Sequence, residues 1–507
     1  MPISEERVRH LLRRTEFVDR QARVDQLTGL ASIEAAVDNV MAISAPSALS
    51  LGSGSDWERG QNFVRAWLDQ MAGTSRPFRE RMAFFWHGHI PSELGKVNSA
   101  PFMAEQIELW RSDGVNGNVG QLLKDMSLQV AMLRYLDNDR NFAESPNQNF
   151  ARELMELFVL GVGNYVEADV EASTAAWTGH TAHWETGAYS FVVERHEYQA
   201  QTFLGRVINQ NTKPFKDAGF QTIDVMLGLG DYAGGGTVPV GANLNRSTRS
   251  VAAEFLSKKL WQEFGEANTG TVPDGVLGDM VDALLDNDFD IRPWVRAMLV
   301  HDDFYPDTNP AVEGGLVRQP VEYMVALMEA TGRNSSQVAS LWLMDQAGQV
   351  LLYPPNVSGW KPNGYWVNAS AFEARNRIAL GCIWEIFDDY WSETIPWEER
   401  YKNFIQINGT KIYQDQIVGA SLDSDDDPYN PPAPWHPFLT NEQLVDRLLD
   451  AMDVHYSNDT RQSLINFCAS HWTDSPGSSA NPPGSGNQYE RRDVVLLALL
   501  APEMHIN

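Results

Sequence analysis

The chain has 507 residues, enough for about three domain-sized units or one large core with insertions. Hydrophobic residues make up 43% and charged residues 21%, a globular balance that excludes a chain disordered throughout. Setting 39 basic against 67 acidic residues leaves a net charge of −28. That excess of carboxylates excludes sequence-independent binding to nucleic acid or anionic lipid, which needs Lys and Arg to neutralise phosphates.

No uninterrupted apolar stretch reaches the ~18 residues of a membrane-spanning helix. Cys382 and Cys468 are the two cysteines, so there is neither a disulfide framework nor a thiolate zinc cluster; both have apolar neighbours and read as small core residues. The opening Met-Pro-Ile-Ser-Glu-Glu passes straight into an amphipathic pattern and lacks the layout of a secretory signal. The expected location is the cytoplasm by default, or outside it in the company of an exported partner.

In chain order, Ser4 is a good N-cap, and Val8, Leu11 and Leu12 follow as an i, i+3, i+4 stripe. Comparable helical patterns run over 63–71, 77–87, 119–136, 149–160, 250–264, 276–285, 321–331, 372–387, 442–452, 460–469 and 491–500. The helix from 77 is expected to end at Gly88, just after His87. Strand patterns are few, and one small β-hairpin is expected between about residues 183 and 206, from the β-branched and aromatic residues at 189–196 and 202–204. Residues 228–241, rich in Gly, form a loop without the Gly-Lys-Ser/Thr ending of a phosphate cradle. The fold class expected is mainly α: a helical body over 1–395, an acidic, Pro-rich insertion or linker over 396–435, and C-terminal helices over 436–507 packing back on the body. A further loop at 474–487 is rich in Ser, Gly and Pro.

Polar groups able to do chemistry concentrate between His87 and His196. His87 and His89 flank Gly88, and beyond a glycine stop the two imidazoles can converge as metal ligands; the plainer reading is that they cap the helix C-terminus. In the run Asn149-Phe150-Ala151-Arg152-Glu153-Leu154-Met155-Glu156-Leu157-Phe158, Phe150, Leu154, Leu157 and Phe158 make a buried stripe. Arg152, Glu153 and Glu156 share the neighbouring face. Two carboxylates one turn apart ligate a metal, or work as acid and base if their environments split their pKa values. Arg152 either holds an anionic substrate group or pairs with Glu156 in a solvated ion pair. His180, His183 and His196 follow closely, in a chain with only 11 histidines. Imidazole plus carboxylate without thiolate suits Zn, Mn or Fe. Near the end of the body, Tyr353-Pro354-Pro355-Asn356-Val357-Ser358-Gly359-Trp360 and Trp366 either stack on a glycan or form a rigid turn packed by Trp, and packing is the favoured reading. The Asp423, Asp425, Asp427 spacing resembles a calcium loop, but Pro428 stands where that loop needs its glycine.

These segments, in this order, resemble the bacterial family known as domain of unknown function 1800. The resemblance rests on residues 10–17, on Phe85-Trp86-His87-Gly88-His89, on 147–163 and 165–170, and on Thr178-Gly179. His196 with Phe203-Leu204-Gly205, then 354–360 and 499–503, continue it. It departs from the family at Gln148, where Glu is usual, at His180 (Trp), at Glu197 (Asp) and at Gln201 (Lys). The resemblance implies a mainly helical protein that often accompanies a sulfatase-like family bearing an export signal.

The functional expectation is a metal-dependent enzyme, a hydrolase acting on a polar or anionic substrate. Arg152, Glu153 and Glu156 would be catalytic, and His87, His89 and His196 would hold a divalent transition metal (Zn, Mn or Fe), all around one concave site. The alternatives are a non-catalytic partner or assembly protein of the sulfatase-like family, in which the same groups are structural, and a glycan-binding protein using Trp360 and Trp366.

Overall fold

Ser4 accepts a hydrogen bond from the Arg7 amide and opens the first helix, Glu5–Thr15, which carries Glu5 and Glu6 in its first turn and Arg13 and Arg14 in its last. Both ends therefore complement the helix dipole. Ser55 and Glu58 form a capping box at the start of the long helix Asp56–Gly73. The computed structural model describes residues 3–507 except 44, 184, 210, 212, 267–270, 309–315, 339–340, 388–403, 414–438 and 472–487. Most of the expected 396–435 insertion, the Asp423–Asp427 spacing and the 474–487 loop thus lie outside the described residues.

The fold is mainly α, with helices packed around the helix Phe78–His89, which is buried on every side. Such burial forces its charged residues to find partners inside. Arg111, on the adjacent helix Ala100–Asn116, donates to both Glu80 oxygens at 2.8 and 3.0 Å, and the Trp67 indole donates to the same carboxylate at 2.9 Å. Trp86 donates to the Gly114 carbonyl at 2.8 Å, and a Cβ on Gly114 would stand 2.6 Å from the Trp86 ring. Glycine there is what lets the two helices approach.

Among the described residues, three two-stranded antiparallel pairs accompany the helices. β1 (His180–Ala182) pairs with β2 (Tyr189–Phe191), β3 (Gln201–Phe203) with β4 (Arg206–Ile208), and β5 (Phe404–Ile407) with β6 (Thr410–Tyr413). The single hairpin expected over 183–206 is therefore two: β2 turns back to β1, and β3 turns forward to β4. Leu204 and Gly205, both at positive φ, make a tight turn between β3 and β4. Gly187, also at positive φ, donates to the His183 carbonyl at 2.8 Å in the turn before β2. Each strand takes the partner reached by the shorter loop, which costs the least closure entropy.

The last segments pack onto the body. Arg318, fully buried, donates to Asn507 Oδ1 at 2.8 Å, to the Glu503 and Met504 carbonyls at 3.0 Å and to the Phe17 carbonyl at 2.7 Å, tying both ends of the chain together. Asn408, in the β5–β6 turn, donates to carbonyls of Glu329, Ala330 and Ala451 and joins the helices Pro320–Thr331 and Asn441–Met452. Cys382 and Cys468 are both buried free thiols. Among the described residues, no helix is long and apolar enough to cross a membrane.

Candidate functional site

The run with Arg152, Glu153 and Glu156 begins as the α-helix Asn149–Glu153 and widens at once into a π-helical turn, Leu154–Val159. Phe150, Leu154, Met155, Phe158 and Val159 are buried, while Leu157 is only partly so. The i→i+5 bonding of the wide turn rotates residues beyond Leu154 away from the ordinary i+4 row. Consequently Arg152 does not pair with Glu156. Arg152 Nη2 donates to Glu167 at 2.9 and 3.0 Å and to Gln148 Oε1 at 3.1 Å.

Glu156 has a different partner. The chain turns at Gly161 and Gly163, both at positive φ, and Asn164 pins the turn by donating to the Leu160 carbonyl at 2.8 Å. Tyr165 returns over the helix and donates its hydroxyl to Glu156 Oε2. Burial and this carboxylate together push the Tyr165 phenol up to about 12, so it remains a donor at neutral pH.

Glu153 is half-buried. Desolvation raises its carboxyl above the usual range, and the Glu156 charge adds to the effect while Arg152 opposes it. No hydrogen bond or ion pair reaches its carboxylate among the described residues. Glu153, Glu156 and Tyr165 thus form a carboxyl pair with one phenolic donor, with Arg152 at its rim. The sequence reading assigned no role to Tyr165; its only signal was a Tyr directly after a Gly-x-Gly-Asn turn that closes back on the helix.

The histidines go elsewhere. The central helix continues through Gly88 to His89, so residues 87 and 89, ~200° apart around an α-helix, face opposite ways. The expected stop at Gly88, and with it the convergence of the two rings, is corrected. His89 stacks on Phe85 and donates from Nε2 to the Phe158 carbonyl at 3.0 Å, linking the central helix to the π-turn. Burial, helped by Lys259, lowers its pKa to about 3.

His87 lies between Trp67 and Trp360, and its Nε2 accepts the Leu352 N–H at 3.1 Å. Burial lowers it, too, to about 3, so the ring is neutral. With the Nε2 lone pair taken, the proton must sit on Nδ1, and neither nitrogen has a lone pair left for a metal. His196 donates from Nδ1 to the Thr178 carbonyl at 3.0 Å. His180 sits near it in a cage of Trp177, Tyr189 and Phe191, with Nδ1 3.0 Å from the Tyr189 hydroxyl. Among the described residues, no group of three or more His, Cys, Asp or Glu is placed to hold a metal ion. Among the described residues, His87, His89 and His196 do not assemble into the expected ligand set.

The loop 354–360 packs against the end of the central helix. Gly359, at φ +70°, lies so close to the end of the central helix that a Cβ there would be 1.9 Å from the Gly88 carbonyl oxygen. Trp360 stands edge-on to His87 at 5.2 Å, and Trp366 is buried. Trp360 itself is partly exposed, and the exposed rings nearby in sequence are Trp342 and Tyr365.

A family model described as a protein of unknown function (DUF1800) matches residues 10–506. No curated protein and no solved structure matches the chain.

Proposed function

This chain belongs to the DUF1800 family, described only as proteins of unknown function, and on its own geometry we propose that it is an acid–base hydrolase working through Glu153, Glu156 and Tyr165. The observation that carries the reading is Glu153: a half-buried carboxyl raised by desolvation and by a second carboxylate, with no partner among the described residues. A carboxyl so placed retains a proton closer to neutrality and donates it to a leaving group. Glu156, oriented by Tyr165, receives the proton of the attacking water. The π-turn beneath them supports the assignment, since such turns occur frequently at functional sites. Because Glu167 neutralises Arg152, the rim favours a polar neutral substrate over the anionic one expected from the sequence, and Arg152 orients its polar part.

The test is turnover by the purified full chain of chromogenic esters, phosphoesters and glycosides, beside Glu153→Gln. Hydrolysis of one class, lost in the variant, supports the reading. No turnover of any class, or turnover unchanged in Glu153→Gln, refutes it.

The second reading is an assembly partner of a sulfatase-like protein. It is favoured by the backbone hydrogen bonds made by His87, His89 and His196, which is structural work. The apolar side chains Trp342, Tyr365, Val367 and Phe372 are also exposed, and apolar groups of this kind are what partners cover when they lie together. Stable co-elution with a co-expressed sulfatase-like protein, together with no turnover, would select it.

A further inference from the structure

We propose that the seam between the C-terminal end of the helix Phe78–His89 and the loop 354–360 binds one internal water molecule, held by the Nδ1–H of His87 and the Nε1–H of Trp360. The Leu352 amide is a donor and has no other role to offer, so its 3.1 Å contact makes His87 Nε2 the acceptor and puts the ring proton on Nδ1. His87 is fully buried, and its Nδ1 has no hydrogen-bond partner among the described residues. The Trp360 Nε1 is likewise buried and unpartnered. The two rings meet edge to face, 5.2 Å between centroids at 69°, so two unmet donors belong to one contact.

A third unmet group lies on the segment that follows the helix. Ser92 Oγ is buried without a partner, on the short stretch between His89 and Leu94. Leu94 N donates to the Leu352 carbonyl at 2.9 Å, while Leu352 N donates to His87. Leu352 is therefore fastened on both sides, to His87 and to Leu94, which flank Ser92 along the chain. A buried water typically makes about three hydrogen bonds to groups that otherwise lack them. Two N–H donors and a hydroxyl supply that number, the hydroxyl oxygen accepting one of the water's own hydrogens.

The chemistry selects water over the other small occupants. Both nitrogens present hydrogens, so a metal ion finds no lone pair. Both donors are neutral, so an anion would lose its hydration without gaining a countercharge. The water would complete a seam otherwise fixed by the close approach of Gly359 to the Gly88 carbonyl, and so helps hold the loop to the helix.

Long-range 1H–15N correlation on the full chain, with a high-resolution crystal structure, tests this directly. The expected results are a His87 ring protonated on Nδ1 and one ordered water within ~3 Å of both nitrogens. Trp360→Phe keeps a ring but removes one donor; the water should be lost and the His87 Nδ1–H should exchange about tenfold faster or more. A His87 protonated on Nε2, a dry contact, donors that face separate closed spaces, or unchanged exchange in Trp360→Phe would each overturn the proposal. If that variant does not fold, the two measurements on the unaltered chain decide alone.

Discussion

Replacing Glu153 by Gln keeps the side-chain shape and removes one charge from a carboxyl pair. Glu153 feels the Glu156 charge and makes no hydrogen bond or ion pair among the described residues, so the substitution breaks no bond and relieves a repulsion. Like charges a turn apart on a helix cost about 0.2–0.5 kcal/mol, and the half-exposed position screens part of that. The expected gain is at most a few tenths of a kcal/mol, or about 1 °C or less in melting temperature. If Glu153 is the proton donor, turnover should fall by about 10²–10⁴-fold at the same time. The pH dependence carries a definite sign. A folded-state pKa raised above the unfolded value contributes stability that is complete below the ordinary Glu range and is lost as pH rises through the raised value. Glu153→Gln should abolish that part of the decline. Thermal melts from pH 4 to 8 and initial rates on the same preparations make the check. A variant that melts several degrees lower with turnover intact would show Glu153 to be a structural acceptor and refute the argument.

Tyr165→Phe removes the donor to Glu156 and should cost about 1 kcal/mol in denaturant unfolding while lowering turnover, with the larger effect on kcat. A chelator should leave the melting temperature and turnover unchanged; a fall in either would reveal a metal that the described side chains do not explain. Gly359→Ala must fit a Cβ 1.9 Å from the Gly88 oxygen at a positive φ, and should destabilise by about 2–4 kcal/mol, read as a lower denaturant midpoint. Arg111→Met leaves the buried Glu80 carboxylate without its bidentate partner and should cost about 3–5 kcal/mol by the same assay.

What the sequence determines by itself is local and periodic. The apolar stripe over 250–264 repeats every three to four residues, and it is the helix Thr248–Phe264, because burying one face is a property of the segment; the apolar run over 321–331 is the helix Pro320–Thr331, which is buried all round. Family membership is legible for a similar reason, since the motif residues stand in order along the chain. The grouping of Arg152, Glu153 and Glu156 is also local, and they do share one short stretch of helix.

Tertiary structure decided the rest. The end of the helix at Gly88–His89 meets the loop that carries Gly359, and that contact spans more than half the chain. Whether His87 is a ligand or an acceptor was decided by one backbone amide, Leu352, from the same distant loop. Strand pairing depended on which turn closed at lower cost, not on strand propensity alone. The partner of Glu156 is Tyr165 and not Arg152, because the π-turn rotates the carboxylate and the Gly161–Gly163 turn carries a phenol back to it. Residue type fixes what a side chain is able to do; which nitrogen, oxygen or ring meets it is settled only when distant segments pack, because lone pairs and protons are committed there.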